Sequence, residues 1–157
     1  MSYTLTELAQ DIKSIIQTNG IPEGSNQICS FVSKALMDKN FVLNNLPDRS
    51  SDQKPRDVLY EDKDIGFCIC GHVYHAEAVG FKHDHGSSWA VYGQDDGETE
   101  MTEWEIIKDN SDDDVIYVKH NKKYIMKPGD VHFYAQGDVH SPFRKEPVRL
   151  LRIEGVN

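Results

Sequence analysis

Basic residues are in the minority in this 157-residue chain, which has 17 lysines and arginines against 26 aspartates and glutamates and a formal net charge of −9. So acidic a chain lacks the electrostatic attraction that provides most of the nonspecific affinity for nucleic acids and anionic membranes. We therefore expect neither a nucleic acid nor a membrane as a partner.

Long apolar runs and paired cysteines are also missing. No uninterrupted apolar stretch reaches the length needed to span a bilayer, and the N-terminus has no basic segment followed by an apolar core. The odd set of Cys29, Cys68 and Cys70 has the spacing of neither a zinc knuckle nor a redox pair. We expect a cytoplasmic protein with buried thiols, because a reducing compartment leaves cysteine as an ordinary core residue.

The first third of the chain predicts two helices. Apolar residues recur there at steps of three and four positions, namely Leu5, Leu8, Ile12, Ile15 and Ile16. This first helix should be capped by Thr4 or Thr6 and end at Gly20. A second helix is expected from about Ser25 until just before Asn44. The polar stretch 48–56 then reads as a connector.

From Val58 onward the period changes. Short runs rich in β-branched and aromatic residues, such as GFCICGHVY, SWAVYG and VRLLRIEG, alternate with turn clusters such as QDDGE. This pattern is typical of an antiparallel barrel or sandwich, with the acidic run 111–114 as a solvated turn. We expect residues 1–47 to form a helical lead packed on a barrel of residues 56–157, in one structural domain overall.

Two histidines carry the main chemical indication. His83 and His85 stand two residues apart in GFKHDHG. On a strand, that spacing points both imidazoles to one face and toward one ion. Neutral imidazoles suit iron, zinc, nickel or copper rather than magnesium or calcium. The alternative is a pair of surface histidines in a polar turn.

A second motif, KPGDVHFYAQGDVH, runs from Lys127 to His140. Its Pro-Gly-Asp and Gln-Gly-Asp segments predict two turns on either side of a short strand. The second turn delivers His140 to the start of the next strand. His132 lies on the short strand between them and competes with His140 as a third ligand.

Together, GFKHDHG and KPGDVHFYAQGDVH resemble the two metal-binding motifs of the cupin superfamily. The resemblance implies an all-β cupin fold, a double-stranded β-helix or jelly-roll barrel, with a short N-terminal helical segment. It also implies that His83, His85 and His140 meet at one metal, since Gly137 and His140 keep their places in the second motif while Ala135 replaces its usual proline. Cupins often pair through their strands, which makes a homodimer an expectation.

The glutamate that many cupins place after the second histidine is missing here, and Trp89 or Ala90 stands in its place. A three-histidine site without that carboxylate is similar to the thiol dioxygenases, the cysteine dioxygenase group. That resemblance implies Fe(II), with Zn, Ni, Mn or Cu as alternatives. It also implies that Arg56 grips a substrate carboxylate, for which the planar guanidinium is suited. The alternative for Arg56 is a surface charge beside the connector.

The last strand departs from that group. Thiol dioxygenases carry Ser-x-His-x-Tyr there, whereas this chain has Leu150-Leu151-Arg152-Ile153-Glu154. Arg152 and Glu154 share a face, and we expect an exterior salt bridge in preference to a polar pair in the pocket. The chain also resembles uncharacterised bacterial cupins that contain HDHG followed by SWAVYGQ and MTEW.

The hypothesis from sequence is a non-haem Fe(II) oxygenase, thiol-dioxygenase-like, that acts on a small anionic substrate and O2. Tyr92 and Tyr134 are the candidates for donating a proton or orienting a reacting oxygen. For both, the alternative is core packing with a satisfied hydroxyl. The rival functions are a metal-dependent lyase or isomerase, with one of these tyrosines as base, and a small-ligand-binding cupin without turnover.

Overall fold

The computed structural model describes residues 1–49, 55–75, 78–110 and 115–155. In those ranges three helices precede the sheets: α1 (Leu5–Asn19), α2 (Ser25–Met37) and α3 (Lys39–Asn45). Thr4 caps α1, because its hydroxyl accepts from the Glu7 N–H while the Glu7 carboxylate accepts from the Thr4 N–H. Both bonds satisfy donors that the first turn would otherwise leave unpaired.

The prediction of a single second helix from Ser25 to just before Asn44 is wrong, because the helical segment is divided into α2 and α3 at Asp38. The backbone of Asp38 is extended, and its Oδ1 accepts from the N–H groups of Asn40 and Phe41 at 2.9 and 3.2 Å. An aspartate that caps a new helix offers the chain an alternative to continuing the old one. The fold therefore has α3 where the sequence predicted a longer α2.

Nine strands follow in the described residues. They are β1 (Arg56–Asp62), β2 (Phe67–Tyr74), β3 (Ala78–Val79), β4 (Ala90–Asp96), β5 (Thr99–Asn110), β6 (Val115–Met126), β7 (Val131–Tyr134), β8 (Val139–Arg144) and β9 (Val148–Gly155). One sheet has the order β1-β2-β9-β4-β7 and the other has the order β3-β8-β5-β6. The strand pairs are antiparallel, as the alternating pattern predicted.

The outer face of the five-stranded sheet packs on the helices. Apolar residues from α1, α2, β2, β4 and β9 form one buried cluster there, which includes Leu8, Val32, Ile69, Val91 and Ile153. Each such side chain contributes about 1.5–3 kcal/mol when it is fully buried.

Gly93 allows α2 to approach β4 closely. A Cβ at this position would lie 2.8 Å from Val32 Cγ1 and 2.9 Å from Leu36 Cδ1. The helices therefore cover the sheet at van der Waals distance and close its outer side.

The opposite face of the same sheet looks toward the second sheet. Ala90, Tyr92, Met101, Met126 and Tyr134 form a separate buried cluster between the two sheets. This interior is where the histidines of both motifs lie.

Some sequence expectations remain predictions. Most of the connector 48–56 and the acidic run 111–114 lie outside the described residues. The grouping of 1–47 and 56–157 into one domain is likewise a prediction. None of the helices in the described ranges combines the length and the apolar character that crossing a bilayer requires.

Candidate metal centre

The two histidine motifs meet through their main chains. The N–H of His83 donates to the carbonyl of His140 at 3.0 Å, and the N–H of His140 donates to the carbonyl of His83 at 2.9 Å. His140 is on β8, whereas His83 forms an isolated bridge in the segment between β3 and β4. The sequence analysis assumed that both His83 and His85 lie on a strand, but the structure pairs only His83 of the two in this way.

The imidazoles of His83, His85 and His140 converge. One ring nitrogen from each lies within 4.8 Å of the others. His132 is not part of this group of ligand atoms, and its Nε2 lies 3.9 Å from Glu103 Oε2. The structure thus brings His140, and not its competitor, to the His83–His85 pair.

Backbone carbonyls set the tautomers of two of these rings. His83 Nδ1 lies 2.8 Å from the Phe81 carbonyl, and His140 Nδ1 lies 2.9 Å from the Asp138 carbonyl. Because a carbonyl only accepts, each Nδ1 carries the proton and each Nε2 presents its lone pair. This is the arrangement that a metal-binding histidine needs, so the residues present fit a transition metal.

Burial keeps the rings of His85 and His140 uncharged. His140 is fully buried, and burial followed by the nearby His83 lowers its pKa to about 3. Burial also lowers the pKa of His85, with a further contribution from Arg152. Neutral imidazole is the ligand form, so neither ring must lose a proton before it binds an ion at neutral pH.

Tyr92 joins the cluster through its hydroxyl. The Oη lies 2.9 Å from His85 Nε2 and 3.1 Å from His140 Nε2. A phenol has one proton to donate, so it can donate to only one of these nitrogens at a time. Burial raises the pKa of Tyr92, which keeps that proton on the oxygen.

Tyr134 contacts the cluster with its ring. It stacks on the His140 imidazole with a centroid separation of 4.1 Å and an interplanar angle of 25°. Its hydroxyl is hydrogen-bonded to Tyr124 at 2.6 Å. Of the two tyrosines predicted from sequence, Tyr92 presents its oxygen to the histidines and Tyr134 supports one of them.

An open pocket of about 430 Å³ lies in front of His83. Tyr92, Arg144 and Arg152 also line it. The Arg152 guanidinium lies 4.0 Å above the Tyr92 ring centroid, and the Arg144 guanidinium lies 4.2 Å from that of Tyr74.

The prediction that Arg152 and Glu154 form an exterior salt bridge is wrong. The two side chains are within 3.5 Å of each other, but they are only 11% and 18% exposed. Their neighbours Leu151 and Ile153 pack on the helices, so alternation turns Arg152 and Glu154 into the interior.

Arg56 binds Glu154 in this structure. Its Nη2 lies 3.0 Å from Glu154 Oε2 and 3.5 Å from Cys68 Sγ. Cys68, Cys70 and Glu154 form a second group of ligand atoms within 4.8 Å of one another. Arg56 is therefore partnered by a carboxylate of the protein itself, while Arg144 and Arg152 line the pocket that contains His83.

His72 lies beside these arginines. Burial lowers its pKa to about 2, with Arg152, Arg56 and Arg144 adding to the effect. Its Nε2 is 3.9 Å from Glu154 Oε1, but a neutral ring does not form an ion pair there. His72 therefore adds no positive charge to the interior.

The sequence interpretation missed Arg144. An alternation rule would have found it, because residues 140, 142 and 144 of β8 face the same side. Because His140 faces the interior, Arg144 on the same face of β8 must also face the interior.

Solved structures resemble this fold at low identity. The cupin domain of Schizosaccharomyces pombe Cnp3 matches with a TM-score of 0.52 and 16% identity, over 69% of this chain and 66% of that one. TT1209 from Thermus thermophilus matches with a TM-score of 0.52 and 16% identity, over 73% and 93%. A cupin superfamily protein from Desulfitobacterium hafniense matches with a TM-score of 0.50 and 14% identity, over 72% and 96%.

No protein-family model matches the chain, and no curated protein matches it. Likeness at this level of identity shows the fold alone, so the resemblance to thiol dioxygenases stays a prediction. The two antiparallel sheets, the leading helices and the structural neighbours together show that this chain has the cupin fold, with a short N-terminal helical segment.

Proposed function

We propose that this protein is a non-haem Fe(II) oxygenase, thiol-dioxygenase-like, that acts on a small anionic substrate. One observation carries the proposal: the ring nitrogens of His83, His85 and His140 converge beside an open pocket. Among the described residues, no carboxylate belongs to this group of ligand atoms. Three neutral ligands leave a divalent ion with its full positive charge, which attracts an anionic substrate such as a thiolate or an enolate.

Imidazole ligands suit iron among other transition metals, and iron when bound supplies the electrons that O2 chemistry requires. The protein's own residues orient the imidazoles and hold a proton near them. The carbonyls of Phe81 and Asp138 hold two imidazoles in the tautomer that presents Nε2. Tyr92 holds a proton beside His85 and His140, where it can donate to a developing negative charge. Tyr134 fixes the plane of His140 by stacking.

The test is elemental analysis of anaerobically purified protein, followed by oxygen uptake with cysteine, 3-mercaptopropionate and mercaptosuccinate. Near-stoichiometric iron with thiol-dependent uptake would support the proposal. Iron without uptake for any thiol would reject the thiol-dioxygenase reaction, and protein that binds no added metal would reject the metal centre.

A pair of variants tests the ligands. His140→Ala should abolish high-affinity metal binding, whereas His132→Ala should leave it largely intact because His132 lies near Glu103 instead. Equal metal loss in both variants would contradict the assignment of His140 as the third ligand.

The position of Tyr92 also favours a second candidate function. Its hydroxyl touches two of the three histidines, which is where a proton donor for a metal-dependent lyase or isomerase would act. Such a reaction needs no oxygen. Turnover of a carbonyl or hydroxy-acid panel under anaerobic conditions would therefore select it over the oxygenase, and ligand binding without any turnover would indicate a binding protein.

A further inference from the structure

We propose that Arg144 and Arg152 form an anion subsite that binds the carboxylate of the substrate, so that the substrate class is a short carboxylic acid with a second, metal-directed group. This inference rests on the proposed function for the role of the pocket. It differs from the sequence expectation, which gave the carboxylate to Arg56.

Arg144 is a buried charge that has no carboxylate partner among the described residues. The residue is 3% exposed, and its Nε has no hydrogen-bond partner. No carboxylate oxygen in the described ranges lies within 4.0 Å of its guanidinium nitrogens. Burying a charge in this way is costly unless something pairs with it. Because Arg144 lines the pocket in front of His83, a bound anion can supply the missing partner.

Arg152 adds a second donor on the same wall. Within the described ranges its Nε is also buried without a partner, and its one ion pair is the 3.5 Å contact with Glu154. Glu154 is bound more closely by Arg56, at 3.0 Å. Glu154 is thus the shared partner of Arg56 and Arg152, and Arg144 adds a further positive charge. This interior has excess positive charge within an acidic protein.

Aromatic rings fix where the two guanidinium groups point. Arg144 lies over Tyr74 and Arg152 lies over Tyr92, at 4.2 and 4.0 Å from the ring centroids. Stacking holds a guanidinium by its face and leaves its edge free to donate. An edge that carries parallel N–H groups matches the two oxygens of a carboxylate.

The pocket brings the arginines and one proposed metal ligand to the same space. It has a volume of about 430 Å³ and is lined by His83 as well as by both arginines, so one molecule can contact the arginines and His83 together. Val79, Phe81 and Pro142 provide apolar contact for the few carbons between its two ends. These features favour a carboxylic acid that carries a metal-directed group over an anion without one.

Calorimetric titration with succinate and mercaptosuccinate under anaerobic conditions tests the subsite, with succinamide as the uncharged analogue. The wild-type protein should bind both acids and not succinamide. Loss of one charged donor should weaken binding by about tenfold or more, so Arg144→Gln and Arg152→Gln should each raise the Kd of succinate by at least that factor. Arg144→Lys should recover part of the loss, since it keeps the charge without the planar fork.

Arg56→Gln is the matched control, because Arg56 is the rival carboxylate ligand. Its Kd for succinate should rise less than that of Arg144→Gln, because Arg56 does not line the pocket and acts on it only through Glu154. A larger effect for Arg56→Gln than for Arg144→Gln would overturn the subsite. Equal binding of succinamide and succinate by the wild-type protein would also overturn the subsite. This measurement does not depend on the folding of any variant.

Repeating the titration on chelator-treated protein separates this inference from the proposed function. Succinate binding that survives metal removal and depends on Arg144 would support the subsite even if no thiol drives oxygen uptake. Conversely, thiol-dependent oxygen uptake with unchanged KM in Arg144→Gln and Arg152→Gln would leave the oxygenase standing and reject the subsite.

Discussion

Neighbouring residues of β9 face two different environments. Leu151 and Ile153 are fully buried against the helices, in a cluster of apolar side chains. Arg152 and Glu154 alternate with them and point into the space between the sheets, toward Tyr92 and Arg56. The outer face is built from groups that need only to be removed from water. The inner face is built from polar groups that need specific partners, and some of them have none in the part of the chain that the structure describes.

The comparison implies that stability and chemistry are carried by opposite faces of the same strands. Buried polar groups without partners cost stability, so the inner face depends on the outer face and the helices to hold it in place. Substitutions on the two faces should therefore differ in which property they change. Four substitutions test this difference, in order of decreasing effect on stability.

The largest loss of stability should come from the outer face. Ile153→Ala removes a fully buried side chain from the helix–sheet cluster and should cost about 2–5 kcal/mol of unfolding free energy. Urea unfolding measures this value. Metal content per folded molecule should be unchanged, and a variant that lost its metal while remaining folded would contradict the separation of the two faces.

Gly93→Ala should destabilise the contact between α2 and β4. The added methyl group would meet Val32 and Leu36 at less than 3.0 Å, and overpacking of this kind costs about 1–3 kcal/mol. The same unfolding experiment applies. If the double variant Gly93→Ala, Leu36→Ala recovers stability relative to Gly93→Ala, the clash is confirmed as the cause.

On the inner face, His72 should make stability depend on pH. Its pKa is lowered to about 2 in the folded protein, whereas an unfolded histidine titrates near 6.5. Below that pH the unfolded state binds a proton that the folded state excludes, so stability falls as the pH falls. His72→Gln removes this dependence and should gain about 1–2 kcal/mol relative to wild type between pH 7 and pH 5. Parallel pH profiles for the two metal-free proteins would contradict the assignment.

Tyr92→Phe should change function more than stability. The ring that packs against Tyr134 and Arg152 is retained, and the lost hydrogen bonds should cost about 1 kcal/mol of unfolding free energy. The turnover rate should fall by about a hundredfold or more if the hydroxyl donates a proton during the reaction. A rate equal to that of wild type would mean that Tyr92 serves packing alone.

The sequence predicted the fold class, because the helical period of the first third and the alternation after Val58 are both local patterns. The resemblance of the two short motifs to the cupin metal-binding motifs also predicted which histidines converge, whereas the spacing alone left His132 as a competitor of His140. The sequence did not predict the end of α2 at Asp38, where a capping side chain competes with continued helix. It placed Arg152 and Glu154 outside, because charge was given more weight than the alternation with Leu151 and Ile153. Partner choice across strands, such as Arg56 with Glu154, depends on a register that no short motif specifies.

The reciprocal backbone hydrogen bonds between His83 and His140 have a consequence for how ions are captured. The segment that carries His83 is hydrogen-bonded to β8 at His140, which is itself a proposed metal ligand. The conformational entropy of this segment is therefore lost when the chain folds and not when an ion binds. Metal association then requires no ordering of the chain at this point, and affinity is not reduced by a loop that must first close. The proposed metal centre would in this respect be a preorganised chelator, with its main-chain pairing complete before any ligand bond forms.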